Sequence, residues 1–510
     1  MSYSQNLEFL NEVERRFPVD TWTSAGIPIW PLIRVQLAFQ WDEFLALSRQ
    51  PADERGFQSW FRRARRLADL PVEWIRFAEA FAADRRHNDF PNHRTDVVFY
   101  SHATARVFSA GGAQFDIFAD ALEPAFHDLG LTSFIMESAP GGEYRIPRFG
   151  KSMYLLPREH FARLKSRFLT GRGEADTMDG FEEFAARVRA AAPDFPAPDW
   201  REIRQQAYFI RCMADGFKNI LASVRPKLGF CVNYYSAQGM AFNLACRESG
   251  VRSVDMQHGV QTLHPAYARW QKVPPNGYAL LPDVFWCWSG EEEKAIMDWS
   301  GPAGNVHRPV VGGNVILEEF LNGDGAFTRS FDEDFFRARG ERPASLNVLV
   351  TLQTGRGLPE TVRRVIQSGP DGWFWWIRLH PAMMAERPAV AAALVSSGRR
   401  NWDLDNASRL PLYTLLRHAD VHLTETSSVV LEARRFSIPS GILSELGAEL
   451  YENVVREGGA FMALEADEVL RALSSLASKP RSPRPASGSG MDPRRVIRQI
   501  LDFLPGFPGR

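Results

Sequence analysis

From Asn347 onward, five short apolar runs (Asn347–Leu352, Trp373–Ile377, Asn401–Leu404, Asp420–Leu423 and Ile438–Leu443) alternate with stretches of helical spacing. Strands separated by helices cannot pair through tight hairpins; they build a parallel sheet with helices on its faces. An earlier series shows the same alternation. It has strands at Asp96–Tyr100, Thr132–Met136, Leu228–Asn233, Val251–Met256 and Val284–Trp288, and helices near Phe115–Leu129, Ile203–Val224 and Gln238–Ser249. The stretch between Met136 and Ile203 reads as partly irregular. At 510 residues and 45% hydrophobic content, the chain outgrows one ordinary core and can fill two. The expected fold class is α/β: two doubly wound, Rossmann-like domains, 91–312 and 313–477, facing each other across a cleft. A helical N-terminal region, 1–90, precedes them. Residues 478–510 follow as a Ser/Pro/Gly-rich linker and a final helix packing back toward the first domain. Val310–Asn314 reads as a strand end running into a flexible connection between the domains. Ser289 and Glu292 have capping-box spacing, which gives the acidic run Glu291–Glu293 a structural reading.

Two turns of the later series carry chemistry-bearing residues: Arg378-Leu379-His380-Pro381 and Thr424-Glu425-Thr426-Ser427-Ser428. Each follows an apolar strand and opens a helical segment, which places both on the edge where α/β sheets bind ligands. One strand and a helix near Leu412–His418 intervene, so the two turns can line one crevice. His380, restrained by Pro381, is expected to donate a hydrogen bond or a proton to a phosphate. Thr426, Ser427 and Ser428 are expected to supply hydroxyl and N–H groups to the same oxygens, a use that overlaps with helix N-capping. Glu432, one turn further on, suits either a nucleotide ribose or support of its own helix. Gln353 and Thr354 sit before Gly355 and Gly357, where a ligand could approach closely or a plain loop could run. Arg378 reads as a structural ion pair. Asp403-Leu404-Asp405 has the DxD form of a metal site, but it ends a strand and runs into Asn406, which favours a turn. No metal is expected.

In the first domain a cleft-facing base is needed to take a proton from an acceptor hydroxyl. His258, between strand Val251–Met256 and Gly259, leads the candidates; Asp116 and His102 come next, and Asp255 and Glu425 stay open. With 60 basic and 61 acidic residues, no global field recruits nucleic acid. Cys212, Cys231, Cys246 and Cys287 form no CxxC pair and read as reduced core thiols. The start of the chain lacks a signal-peptide pattern and no apolar run approaches the ~20 residues of a membrane span, so the expected location is cytoplasmic. Residues 58–87 interleave Trp60, Phe61, Trp74 and Phe77 with Arg62, Arg63, Arg65 and Arg66. Such a stretch suits either packing on the first domain or peripheral contact with the inner face of the cell membrane.

The His-Pro at one strand end and the Ser-Ser at a later one resemble the paired motifs of bacterial GT-B glycosyltransferases that use CMP-activated sugars, among them sialyltransferases and Kdo transferases. Met256-Gln257-His258-Gly259 with His264-Pro265-Ala266-Tyr267 resembles a motif of surface-polysaccharide transferases of that type. Ser101-His102 through Gly112, Asp116 and Asp120 is similar to the opening of their acceptor domains. The resemblance spans roughly residues 95 to 475, in patches. It implies a metal-independent glycosyltransferase without cofactor, whose substrate is a nucleotide-sugar, a CMP-linked ulosonic acid such as Kdo or a sialic-acid-like sugar. Its partner would be a glycan or lipid-linked acceptor of capsule polysaccharide or lipopolysaccharide biosynthesis. Because CDP-glycerol phosphotransferases and nucleotide-sugar 2-epimerases carry related arrangements, a CDP-glycerol-type polyol phosphotransferase is one alternative. A non-catalytic nucleotide-sugar-binding subunit of a glycan assembly complex is another. A departing phosphate gains negative charge, and charge-assisted hydrogen bonds of ~1.5–3 kcal/mol each from His380, Ser427 and Ser428 could do a metal's work.

Overall fold

The computed structural model describes residues 3–38, 78, 94–139, 144–170, 176–191, 198–301, 306–323, 326–340, 344–353, 357–479 and 491–503. In chain order the strands begin with β1 (Thr23–Ser24), β2 (Ile27–Pro28), β3 (Val97–His102), β4 (Arg106–Ala110), β5 (Ala113–Asp116) and β6 (Ser133–Ser138). There follow β7 (Ser152–Tyr154), β8 (Leu228–Val232), β9 (Arg252–Met256), β10 (Val284–Cys287) and β11 (Arg308–Val311). The last six are β12 (Leu346–Thr351), β13 (Trp373–Arg378), β14 (Trp402–Asp403), β15 (Val421–Thr424), β16 (Ser440–Ile442) and β17 (Ala460–Met462).

Seven strands form one parallel sheet in the order β11-β10-β9-β8-β3-β6-β7, and six form another in the order β14-β13-β12-β15-β16-β17. In each sheet the chain starts in the middle, steps outward, then returns to the other side of its first strand. That is the doubly wound Rossmann order, and the two-domain GT-B-like architecture is the one the sequence pattern implies. The central strands β8 and β12 are buried at every position because helices cover both faces, which explains their unbroken apolar character.

An aromatic core joins the domains. Phe108 and Phe115, from the antiparallel β4–β5 pair, stack at 5.3 Å, and Phe108 meets Phe331 edge-on at 5.2 Å. Phe331 and Phe335 lie on helix Ala326–Arg339, and Phe335 packs on Trp376 of β13 at 4.5 Å. The β4–β5 pair corrects the expected helix at Phe115–Leu129, which starts only at Ala119. Turning at Gly111–Gly112, the hairpin buries Phe115 against the other domain, a tertiary gain that local spacing does not show. The stretch read as irregular holds β7 and helices Leu156–Leu169 and Phe181–Ala191.

The connection after β11 is pinned, contrary to the flexible segment expected. A Cβ on Gly312 would lie 1.9 Å from the Trp286 ring, and Trp286 Nε1 donates to Gly313 O at 2.9 Å. Here the glycine permits close approach of backbone to indole. Ser289 and Glu292 do form a capping box.

The described N-terminal residues hold a loop of the first domain. Glu14 on helix Tyr3–Arg16 forms a fully buried ion pair with Arg34, which donates to Pro265 O at 2.9 Å and Ala268 O at 2.8 Å. The C-terminal helix Pro493–Asp502 inserts Ile497 and Ile500 among Val97, Phe99 and Phe126 of the first domain. Residues 58–87, apart from residue 78, and Thr354 lie outside the described residues. Among the described residues no helix is long and apolar enough to cross a membrane. All four cysteines are buried thiols.

Candidate functional site

The strand order reverses between β3 and β8 in the first sheet and between β12 and β15 in the second, which opens a crevice at each C-terminal edge. In the second domain β13 and β15 flank β12. His380, Gln353 and the turn after Thr424 therefore follow three adjacent strands, and the outer two strands lie about 10 Å apart by ordinary strand spacing.

The turn after β15 is held from behind. Thr424 Oγ1 donates to Thr351 O (3.0 Å) and accepts from Ser427 N (3.2 Å). Glu425 O accepts from Ser444 Oγ (2.8 Å), and Thr426 O from Tyr451 OH (3.0 Å). Ser427 is buried and its hydroxyl accepts from Val429 N, whereas Ser428 makes no capping bond. The pair expected to act together is thus divided: Ser427 shapes the turn, whereas Ser428 is half-buried and makes no bond within it. Across the cleft, a Cβ on Gly259 would sit 3.9 Å from Ser428 Oγ.

His380 is exposed and opens the short 3-10 helix Pro381–Glu386, its carbonyl accepting from Met383 N at 2.8 Å. Desolvation, with the nearby Arg378 charge, lowers its pKa and favours the neutral imidazole. Arg378 donates to Ala407 O (2.7 Å) and Leu410 O (2.6 Å), a structural role made with carbonyls more than through an ion pair. Glu432 is buried, accepts from Tyr413 OH at 3.1 Å, and has a pKa pushed up to about 7 by burial. It lines an interdomain cavity of about 370 Å³ with Trp288, Ser289 and Asn314, and Asn314 Nδ2 donates to Tyr413 OH at 3.0 Å. Asp403 accepts from Asn406 Nδ2 and Ala407 N, and Asp405 pairs with Arg387, so the DxD triplet serves a turn.

In the first domain the Gln257-His258-Gly259 loop follows β9. The Gln257 carboxamide donates to Gly259 O (2.8 Å) and accepts from Trp288 N (2.6 Å), which fixes the loop to the end of β10. His258 Nε2 pairs with Tyr235 OH at 3.0 Å, and His264 stacks on the Tyr235 ring at 5.0 Å. Burial pushes His258 down to about 4 and His264 to about 3. His102 joins this edge at the end of β3, its Nε2 3.1 Å from Tyr100 OH, and burial lowers its pKa too. Val260 packs against the second-domain cluster of Val430, Ile442 and Tyr451. The loop thereby touches both sides of the cleft.

Asp116 stands elsewhere in function. Its Oδ1 accepts from Phe118 N and Ala119 N at 2.9 Å, and its Oδ2 from Ser101 Oγ at 2.5 Å. With both oxygens bonded and the side chain fully buried, it braces the turn into helix Ala119–Asp128 instead of lying open to an acceptor as expected of a base. Asp255 is likewise occupied, by Tyr234 N and Tyr267 OH at 3.0 Å each, and burial raises it to about 7. Sequence reading missed Tyr235 and Tyr413. Tyr234-Tyr235-Ser236 does sit between a strand and a helix, the same signal that marked His380, and could have identified the first.

No protein-family model matches the chain, and no curated protein matches it. Among solved structures, UDP-GlcNAc 2-epimerase from Neisseria meningitidis bound to UDP-GlcNAc is similar at TM-score 0.47 and 14% identity, covering 80% of this chain and 99% of that one. The Methanocaldococcus jannaschii UDP-GlcNAc 2-epimerase in complex with UDP-GlcNAc and UDP gives TM-score 0.48 and 12% identity over 80% and 99% of the two chains. The Streptomyces sp. SF2575 glycosyltransferase SsfS6 gives 0.34 and 10% over 81% and 97%. At such identities the likeness is one of chain course alone.

Proposed function

We propose that this chain is a glycosyltransferase that moves a sugar, an ulosonic acid of the Kdo or sialic-acid type, from a CMP-activated donor to a bacterial surface glycan or glycolipid. The observation that carries the reading is the approach of the His258–Gly259 loop to Ser428 across the cleft, which brings a half-buried imidazole and a free hydroxyl to one crevice. In this reading Ser428 and Thr426 hydroxyls and the neutral His380 hydrogen-bond the donor phosphate. The bond from the anomeric carbon to the phosphate oxygen breaks, the phosphate leaves with the electron pair, and the acceptor oxygen bonds to that carbon. The acceptor proton passes to His258. At a pKa near 4 this imidazole is a weak base in the free protein, but a bound anionic donor raises it toward the range where proton transfer is efficient. His102, in the same histidine group, assists by position.

Thermal denaturation with CMP, CDP, UDP, GDP and ADP tests the donor class. A ligand at a hundredfold excess over Kd stabilises by ~2.7 kcal/mol, a readily measured shift. The reading expects cytidine nucleotides to stabilise most; a preference for uridine or purine nucleotides removes the CMP-sugar assignment.

A further inference from the structure

The loop that crosses the cleft carries an unusual side chain. Gln261 is 1% exposed, yet both its Nε2 and Oε1 lack a hydrogen-bond partner among the described residues. No other carboxamide among the described residues leaves both its nitrogen and its oxygen unpaired. A buried polar group without a protein partner is costly, so its bonding is completed by a ligand or by ordered water. One more unpaired atom belongs to the same edge. Asn233 Oδ1 lies at the end of β8, the neighbour of β9. Asn233 is held there at φ 65, a left-handed conformation that turns the chain directly into Tyr234 and Tyr235. The loop faces the second domain through Gly259 against Ser428 and Val260 against Val430 and Tyr451.

We infer that Gln261, with Asn233, forms a subsite for the neutral hydroxyl groups of a sugar. The inference rests on the nucleotide-sugar reading above and adds the residue that reads the sugar. The chemistry of the unpaired set decides the ligand class. A phosphate or carboxylate only accepts, and would face two carbonyl-type oxygens, Gln261 Oε1 and Asn233 Oδ1, with nothing to give them. A pair of hydroxyls both donates and accepts, and satisfies the carboxamide at both ends.

Melting of the full chain and its Gln261→Leu and Gln261→Met variants tests this. The probes are CMP-N-acetylneuraminate, UDP-glucose, GDP-mannose and ADP-glucose, each compared with its nucleotide alone. In the wild-type chain one sugar nucleotide should bind more tightly than its nucleotide. In a variant that keeps its ligand-free melting temperature, the nucleotide shift should persist and the sugar's added affinity should fall about tenfold, the loss of one or two hydrogen bonds. Since an unpaired amide is being removed, the ligand-free protein should melt no lower. An undiminished sugar increment in the variant, no increment in the wild type, or a drop of several degrees in both ligand-free variants overturns the subsite and leaves the nucleotide site standing. A wild-type chain that answers to no nucleotide sinks the transferase reading and the subsite with it.

Discussion

Ser427 and Ser428 are adjacent in sequence but differ in environment: Ser427 is 7% exposed and bonded to Val429 N, whereas Ser428 makes no capping bond and lies opposite Gly259. Removing each hydroxyl should separate two roles. Ser428→Ala should weaken nucleotide binding about tenfold with the melting temperature unchanged, while Ser427→Ala should cost about 0.5–1.5 kcal/mol of stability with a smaller effect on binding. Titration calorimetry with the preferred nucleotide, alongside denaturant unfolding, measures both. Glu432 makes a pH-dependent contribution. Its pKa is about 7 in the native protein against 4.5 in a free carboxyl, so the native state keeps a proton that the unfolded chain has released. Its stabilisation is full below about pH 4.5 and is lost as pH rises through about 7. Glu432→Gln should therefore lose less stability than the wild type between about pH 5 and about pH 8, by a few kcal/mol at most in denaturant titrations.

At the scale of elements, the site depends on turns gripped by the helices that follow them. Helix Ala237–Glu248 starts so close to the β8 turn that a Cβ on Gly239 would lie 2.6 Å from Asn233 O and 2.7 Å from Tyr234 O. Gly239→Ala must push that turn aside and displace Tyr235 from His258. A loss of about 1–3 kcal/mol in stability is expected, together with slower turnover, measured by unfolding and by single-turnover transfer. The strands β8, β9, β12 and β15 were legible because each is a short apolar run between helical patterns. The hairpin β4–β5 was not, since Phe108 and Phe115 are apolar residues whose partners, Phe320 and Phe331, lie about two hundred positions away in the chain.

At the scale of the molecule, that hairpin is where the domains join. Phe108→Ala removes a ring from the core between Phe115, Phe320 and Phe331 and should cost about 3–5 kcal/mol. The loss should appear as a split of one unfolding transition into two, because the domains retain separate sheets but lose their shared core. Calorimetry of the variant beside the wild type reads this out, and a single transition shifted downward is the contrary result.

Sequence alone determined the two parallel sheets, their doubly wound class and the turn positions of His380, Thr426 and His258, because periodicity and strand-to-helix punctuation are local properties of the chain. Only the tertiary structure decided which of those residues have free groups. Asp116 and Ser427 became braces once neighbouring backbone N–H groups came within reach, and Gln261 was left unpaired on the loop whose Gly259 and Val260 meet the other domain. Whether a polar group is spent on the fold or left for a ligand depends on the distant backbone that surrounds it, and that arrangement exists only after the sheets have packed.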